Sequence, residues 1–180
     1  MKFKEFYIQE KLNKQYDFSC ILFDFPKDKS EQIMSWAKNN ISPEKLVKDG
    51  LEDEIHVTVL YGVHSENPKD TFSVLTDTES FEIELGLISK FQPEDCDVLK
   101  IDVISSKLHD LRKILEKNIP NTQTHNEFRP HVTLGYVAKN SCNKLIGSDY
   151  FKGTKVLVNA VDFSSSDGFR QRMYFNHAKI

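Results

Sequence analysis

Apolar and polar positions alternate most cleanly from Phe81 to Phe91, where Phe81, Ile83, Leu85 and Leu87 fall on one face and Glu82 and Glu84 on the other. A period of two marks a half-buried strand. Val98–Ile104 reads the same way, with Leu99, Ile101 and Val103 in phase. Ser19–Phe25 is an apolar run ended by Pro26, and so a further strand. The period changes to 3.6 after Ser105, where Leu108, Leu111, Ile114 and Leu115 form one stripe and Ser105 supplies the N-cap. A second helix is expected from Asp28 or Ser30 to Asn39, with Ile33, Met34 and Ala37 inward and Trp36 at the edge of that face. Asn67–Asp77 is a third, and Ser141–Ser148 a short fourth. Lys155–Phe163 predicts a strand with Val156, Val158, Ala160 and Asp162 on one face, and Arg170–Ala178 a closing strand. Ser42–Glu54 reads as a polar connection with a helical turn at Pro43–Val47. Met1–Gln15 reads as a short helix or a tail, and Ile119–Arg129 as an irregular loop.

Two further apolar runs resemble each other. Residues 55–62 read IHVTVLYG and residues 130–137 read PHVTLGYV. Of the six histidines, only His56 and His131 have a threonine two places on. In a strand, residues i and i+2 share a face. His56 and Thr58 therefore project together, backed by Val57 and Val59, and His131 and Thr133 do likewise, backed by Val132 and Leu134. The order of elements on either side of the two runs is roughly duplicated. Hairpin-like neighbours point to mainly antiparallel sheets with outer helices, the α+β class. No low-complexity or Pro/Gly-rich linker divides the 180 residues, so residues 1–180 are expected to form one domain.

Composition narrows the partners. Hydrophobic residues make up 39% and charged residues 28%, enough for a folded core rather than a disordered chain. The net charge of -3 argues against extensive binding to long nucleic acid, where many phosphates must be neutralised, but suits a short nucleotide in a local pocket. Cys20, Cys96 and Cys142 are scattered and odd in number, which suggests reduced thiols and a cytoplasmic setting. No signal peptide or membrane-spanning run is visible.

The chemistry follows from the repeated pair. Imidazole titrates near neutrality, so two facing histidines can act as general base and general acid. Two threonine hydroxyls between them can donate hydrogen bonds to a phosphodiester. A zinc site usually needs three protein ligands, and no spacing supplies a third. The acidic run Glu52, Asp53, Glu54 reads as a solvated loop rather than a metal site. No metal and no cofactor is expected. Arg129 and Lys139 flank the second motif as lone cations near strand ends and read as solvated, while Arg170 and Arg172 share one face and a phosphate role for them is not favoured.

The two H-x-T segments resemble the motifs of the 2H phosphoesterase superfamily, which includes the LigT-like 2'-5' RNA ligase and cyclic phosphodiesterase group. The matching residues are His56, Thr58, His131 and Thr133. The resemblance implies a bilobal LigT-like fold, with two pseudo-symmetric lobes around a cleft shared by the motif strands. It also implies a metal-independent phosphodiesterase. The segment FQPEDCDVLKIDV, a helix and then RPHVTLGYV resemble the small 2H proteins of bacteriophages, some of which are anti-CBASS nucleases that cut cyclic oligonucleotide messengers. That likeness implies a cyclic oligonucleotide substrate in a host cytoplasm. It also raises Phe91, otherwise a strand-end core residue, as a candidate to stack on a base. The LigT-like group implies instead a 2',3'-cyclic phosphate or a 2'-5' linkage at an RNA end. A third alternative is a nucleotide-binding module without turnover.

Overall fold

The computed structural model describes residues 7–8, 17–123 and 127–176. Ten strands and three α-helices follow one another among these residues. Strand β1 spans Tyr7–Ile8, β2 Ser19–Asp24, β3 Leu46–Leu51, β4 His56–Val63 and β5 Phe81–Phe91. Strand β6 spans Asp97–Ile104, β7 His131–Val137, β8 Lys155–Val158, β9 Ala160–Ser164 and β10 Arg170–Tyr174. The helices are α1 (Lys27–Asn40), α2 (Pro68–Val74) and α3 (Ser106–Asn118).

The strands form two five-stranded sheets, ordered β1-β10-β9-β2-β4 and β3-β7-β6-β5-β8, and every pairing between named strands is antiparallel. The α+β expectation holds. The sheets are not the two halves of the sequence, however. The first sheet combines β1, β2 and β4 with the C-terminal β9 and β10, and the second is built from the middle of the chain.

Five local expectations are corrected. Tyr7–Ile8 is strand, paired with β10, while the rest of the 1–16 segment lies outside the described residues. Helix α1 starts directly after Pro26, earlier than Asp28 or Ser30 would place it, and no side chain caps it. The polar connection at 42–54 contains β3, an edge strand on β7 whose polar residues conceal its pairing. Lys155–Phe163 is two strands, because the chain leaves the second sheet after Val158 and joins the first at Ala160. Residues 141–148 hold only a 3-10 turn at Asn143–Leu145.

Packing explains three further departures. The β5–β6 register shifts between Leu85 and Ile88, so the alternation breaks there. Gly86 and Ile88 are buried and Leu87 is 40% exposed, although the period of two placed Leu87 inward. On α3, Leu108, Leu111 and Leu115 are buried but Ile114 is exposed. Ser105 Oγ accepts from the Leu108 amide, as the cap signal implied. Trp36 is buried and packs edge-on against Phe151, so it belongs to the core rather than its margin.

Candidate active site

Both H-x-T segments are strands, and their burial alternates identically. His and Thr are half-buried and the next residues are buried, through His56 to Val63 and His131 to Val137. Each strand also carries a β-bulge one residue past its threonine. The register between β2 and β4 steps from Leu60 to Thr58, skipping Val59. The register between β6 and β7 steps from Gly135 to Thr133, skipping Leu134. A bulge adds one residue and reverses the phase of the face beyond it. Tyr61 and Tyr136, each five residues past a histidine, are therefore returned to the half-buried His/Thr face. Sequence periodicity alone would have placed them on the opposite face.

The bulges are braced across the two motifs. Arg112 on α3 donates from Nη1 to the Val59 carbonyl at 3.0 Å, and its guanidinium lies 4.7 Å from the Phe128 ring centroid. Phe128 stands three residues before His131. In the other direction, the Leu134 carbonyl accepts from the Glu52 amide at 3.1 Å, four residues before His56. Each motif strand thus holds the segment that leads into the other.

The two imidazoles are fixed alike. His56 Nδ1 lies 2.7 Å from the Glu54 carbonyl, and His131 Nδ1 lies 2.7 Å from the Arg129 carbonyl. A carbonyl only accepts, so each Nδ1 is the protonated nitrogen, and the neutral ring keeps its lone pair on Nε2. β4 and β7 approach one another although they belong to different sheets. The charge of His56 is felt at His131, which places the rings in one electrostatic neighbourhood. Burial is the largest cause holding the His131 pKa below its ordinary value. The Lys100 ammonium and His56 add to it, against the Arg129 carbonyl and the Asp102 carboxylate.

An aspartate stands opposite each histidine in register, Asp24 on β2 facing His56 and Asp102 on β6 facing His131. Sequence reading passed over both. For Asp24 a signal was available, a charged residue ending an otherwise uncharged strand, whereas Asp102 lies within a strand that also carries Asp97 and Lys100. Asp24 belongs to a network with Arg172 at 2.8 Å, and Arg172 also grips Asp162 through two nitrogens. Arg170 binds Glu54 at 2.6 Å. Both arginines are therefore paired with carboxylates. Burial, then the neighbouring Asp162, pushes the Asp24 pKa up to about 6.

Phe91 reaches the same site. Its ring meets His131 edge-on at 4.8 Å between centroids, and the Lys100 ammonium stands 4.5 Å from its centroid. His64 lies at the far end of β4, with Nε2 2.7 Å from Thr122 Oγ1. Arg129 is exposed and paired with Glu127. His125 lies outside the described residues. Among the described residues, no three His, Cys, Asp or Glu side chains gather as a metal site, and no helix is long and apolar enough to cross a membrane.

Two sheets that bring paired His-x-Thr strands side by side define a 2H phosphoesterase. Residues 25–167 match the 2'-5' RNA ligase superfamily, and the chain belongs to that family of phosphoesterase enzymes. Solved structures share the fold. TT0787 of Thermus thermophilus superimposes with a TM-score of 0.63 at 14% identity, over 88% of this chain and 95% of that one. E. coli LigT complexed with 3'-AMP gives 0.60 at 17% identity, over 91% and 96%. Kluyveromyces marxianus Usb1 with uridine monophosphate gives 0.57 at 12% identity, over 88% and 98%. No curated protein sequence matches the chain significantly.

Proposed function

We propose that the chain is a metal-independent phosphodiesterase that cleaves a cyclic oligonucleotide, with His56 and His131 as its general acid–base pair. The observation that carries this reading is the matched geometry of the rings. Both are anchored at Nδ1 by the carbonyl two residues back, and each presents Nε2 for proton transfer. Thr58 and Thr133 lie on the same strand faces and donate to the non-bridging oxygens, where charge builds in the transition state. The attacking group is water or a ribose 2'-OH. No cofactor takes part. Phe91 stacks on a base through the ring face turned away from Lys100. The two sheets act as lobes of one domain around the substrate.

The cyclic substrate is supported by the likeness to small bacteriophage 2H proteins and by the net charge of -3, which disfavours long nucleic acid. On this reading the enzyme works in a host cytoplasm, where its three free thiols would stay reduced. A second reading is action on RNA ends, at a 2',3'-cyclic phosphate or a 2'-5' linkage. The similarity to LigT with 3'-AMP and Usb1 with uridine monophosphate favours it.

Turnover of cyclic di- and trinucleotides, 2',3'-cyclic nucleotides and 2'-5' oligomers separates these readings. His56→Ala and His131→Ala should each lose at least ~10²-fold in rate on the true substrate while staying folded. Full activity in either variant refutes the acid–base assignment. Activity lost on chelation and restored by zinc refutes the metal-free mechanism.

A further inference from the structure

Each motif imidazole is fixed by the carbonyl two residues before it, and both of those carbonyls lie outside the strands. Such a carbonyl turns with its peptide plane, which rotates about the soft dihedrals on either side. The ring is held only as firmly as that plane. We propose that Arg170 is a positioning residue for His56, locking through Glu54 the carbonyl that fixes the His56 tautomer. The catalytic consequence of the lock rests on the phosphodiesterase reading above.

The second motif needs no such lock. Pro130 follows Arg129, and its ring holds φ at about −65°. The same proline confines Arg129 to extended backbone. The plane that carries the Arg129 carbonyl is therefore restrained covalently on both sides. The Arg129 side chain is 63% exposed, and its pairing with the similarly exposed Glu127 adds little.

The first motif has Ile55 in place of Pro130, and no ring restrains its φ. The two residues are otherwise used alike. The Ile55 carbonyl accepts from the Phe25 amide at 3.1 Å, and the Pro130 carbonyl accepts from the Val103 amide at 3.0 Å. The 52–55 segment is pinned at its other end by the Glu52 amide on the Leu134 carbonyl. Glu54 stands between those two points, and its carboxylate accepts from Arg170 Nη2 at 2.6 Å. Arg170 lies 116 residues further along the chain, on β10 opposite Ser164. Its guanidinium also stands 3.9 Å from Asp24, which faces His56 in register. Arg170 thus meets the groups on both flanks of His56. The Arg170–Glu54 pair is half-buried, so water and salt screen it less than the Arg129–Glu127 pair. Without Arg170, Asp24 is still bound by Arg172 at 2.8 Å, which confines the loss to Glu54.

Once Glu54 is released, the 54–55 peptide turns and its carbonyl leaves Nδ1. The ring proton then distributes between Nδ1 and Nε2, and the ring loses its aim. Accepting or donating a proton at Nε2 both need the ring directed at the phosphodiester, with Nδ1 satisfied behind it. A misplacement of about 1 Å costs up to ~10²-fold in rate.

NMR of protein carrying histidine labelled at its ring nitrogens reads the lock directly. With the rings neutral, His56 and His131 of the unmodified protein should each show a protonated Nδ1 and a bare Nε2. Arg170→Met and Glu54→Met should each move His56 to a mixture of tautomers and leave His131 as it was. Each should lower kcat by roughly 10- to 100-fold with KM within ~2-fold. Both variants break one contact, so the double variant should lose no more than either alone. An unmoved His56 tautomer, a loss confined to KM, or losses that add in the double variant overturns the assignment. Glu54→Met decides the matter if Arg170→Met does not fold. An unmodified protein that turns over no phosphodiester sinks the reading above, while the ring nitrogens still decide whether Arg170 holds His56.

Discussion

Gly62→Ala tests how the first motif strand holds the approach to the second. Gly62 has φ of 89° and is the residue skipped where the β2–β4 register shifts beyond Tyr61. An added Cβ would lie 2.1 Å from the Thr122 carbonyl oxygen, so the 119–123 segment must move. That movement breaks the 2.8 Å hydrogen bond from the Thr122 amide to the Gly62 carbonyl. The left-handed conformation costs an alanine about 1–2 kcal/mol. The lost hydrogen bond costs about 0.5–1.5 kcal/mol more. Together these come to about 1.5–3.5 kcal/mol, or roughly 1–2 M in the urea midpoint at a slope near 2 kcal/mol/M. Gly147→Ala is the control. It has φ of 86° and open space around the added Cβ, so it carries the backbone strain without the collision. Urea unfolding of both variants reads the difference directly. Equal losses would mean that the Thr122 backbone yields freely, and that its contact with Gly62 does not hold the segment.

Four other outcomes follow from the contacts around the site. Arg112→Met removes the donor on the Val59 bulge and the cation over Phe128, and should cost about 1–3 kcal/mol in urea unfolding because a buried carbonyl is left unpaired. Lys90→Met removes the cation 2.8 Å from the Asp97 carboxylate, which is 1% exposed and keeps the Asn140 amide at 2.8 Å, and should cost roughly 3 kcal/mol by the same measurement, the low end for a broken buried pair. Thr58→Val and Thr133→Val keep shape and remove one hydroxyl each. Each should lower kcat by about 10–100-fold, the worth of one hydrogen bond to a charged group, and leave the urea midpoint nearly unchanged. The folded-state pKa of Asp24, about 6, stands above the ordinary aspartate value of 3.8, so the native state binds more protons between those values. Stability from this group therefore falls as pH rises from about 4 to about 6, and Asp24→Asn should flatten that fall in unfolding curves taken across the window.

Much of the fold was legible in single segments. The alternation of β5 and β6, the stripe and cap of α3, and the two H-x-T strands each express a local period that burial on one face enforces. Strand β3 was not legible, because an edge strand with one covered side keeps polar residues and loses its periodic signal. The split between β8 and β9 was not legible either. Both pieces are apolar in alternation, and only the choice of sheet separates them.

Sequence by itself determined the residue types and their pairing: His and Thr two apart, twice, on strands with apolar backs. Whatever depends on i and i+2 spacing is local geometry, and local geometry is written in order along the chain. Tertiary structure decided what those pairs meet. It set the bulges that turn Tyr61 and Tyr136 onto the same face, and the carbonyls that fix both imidazole tautomers. It also placed Lys100 beside only one of the two motifs. Which side chain stands opposite each threonine, Leu22 or Lys100, follows from ladder register, and register is a property of two strands at once.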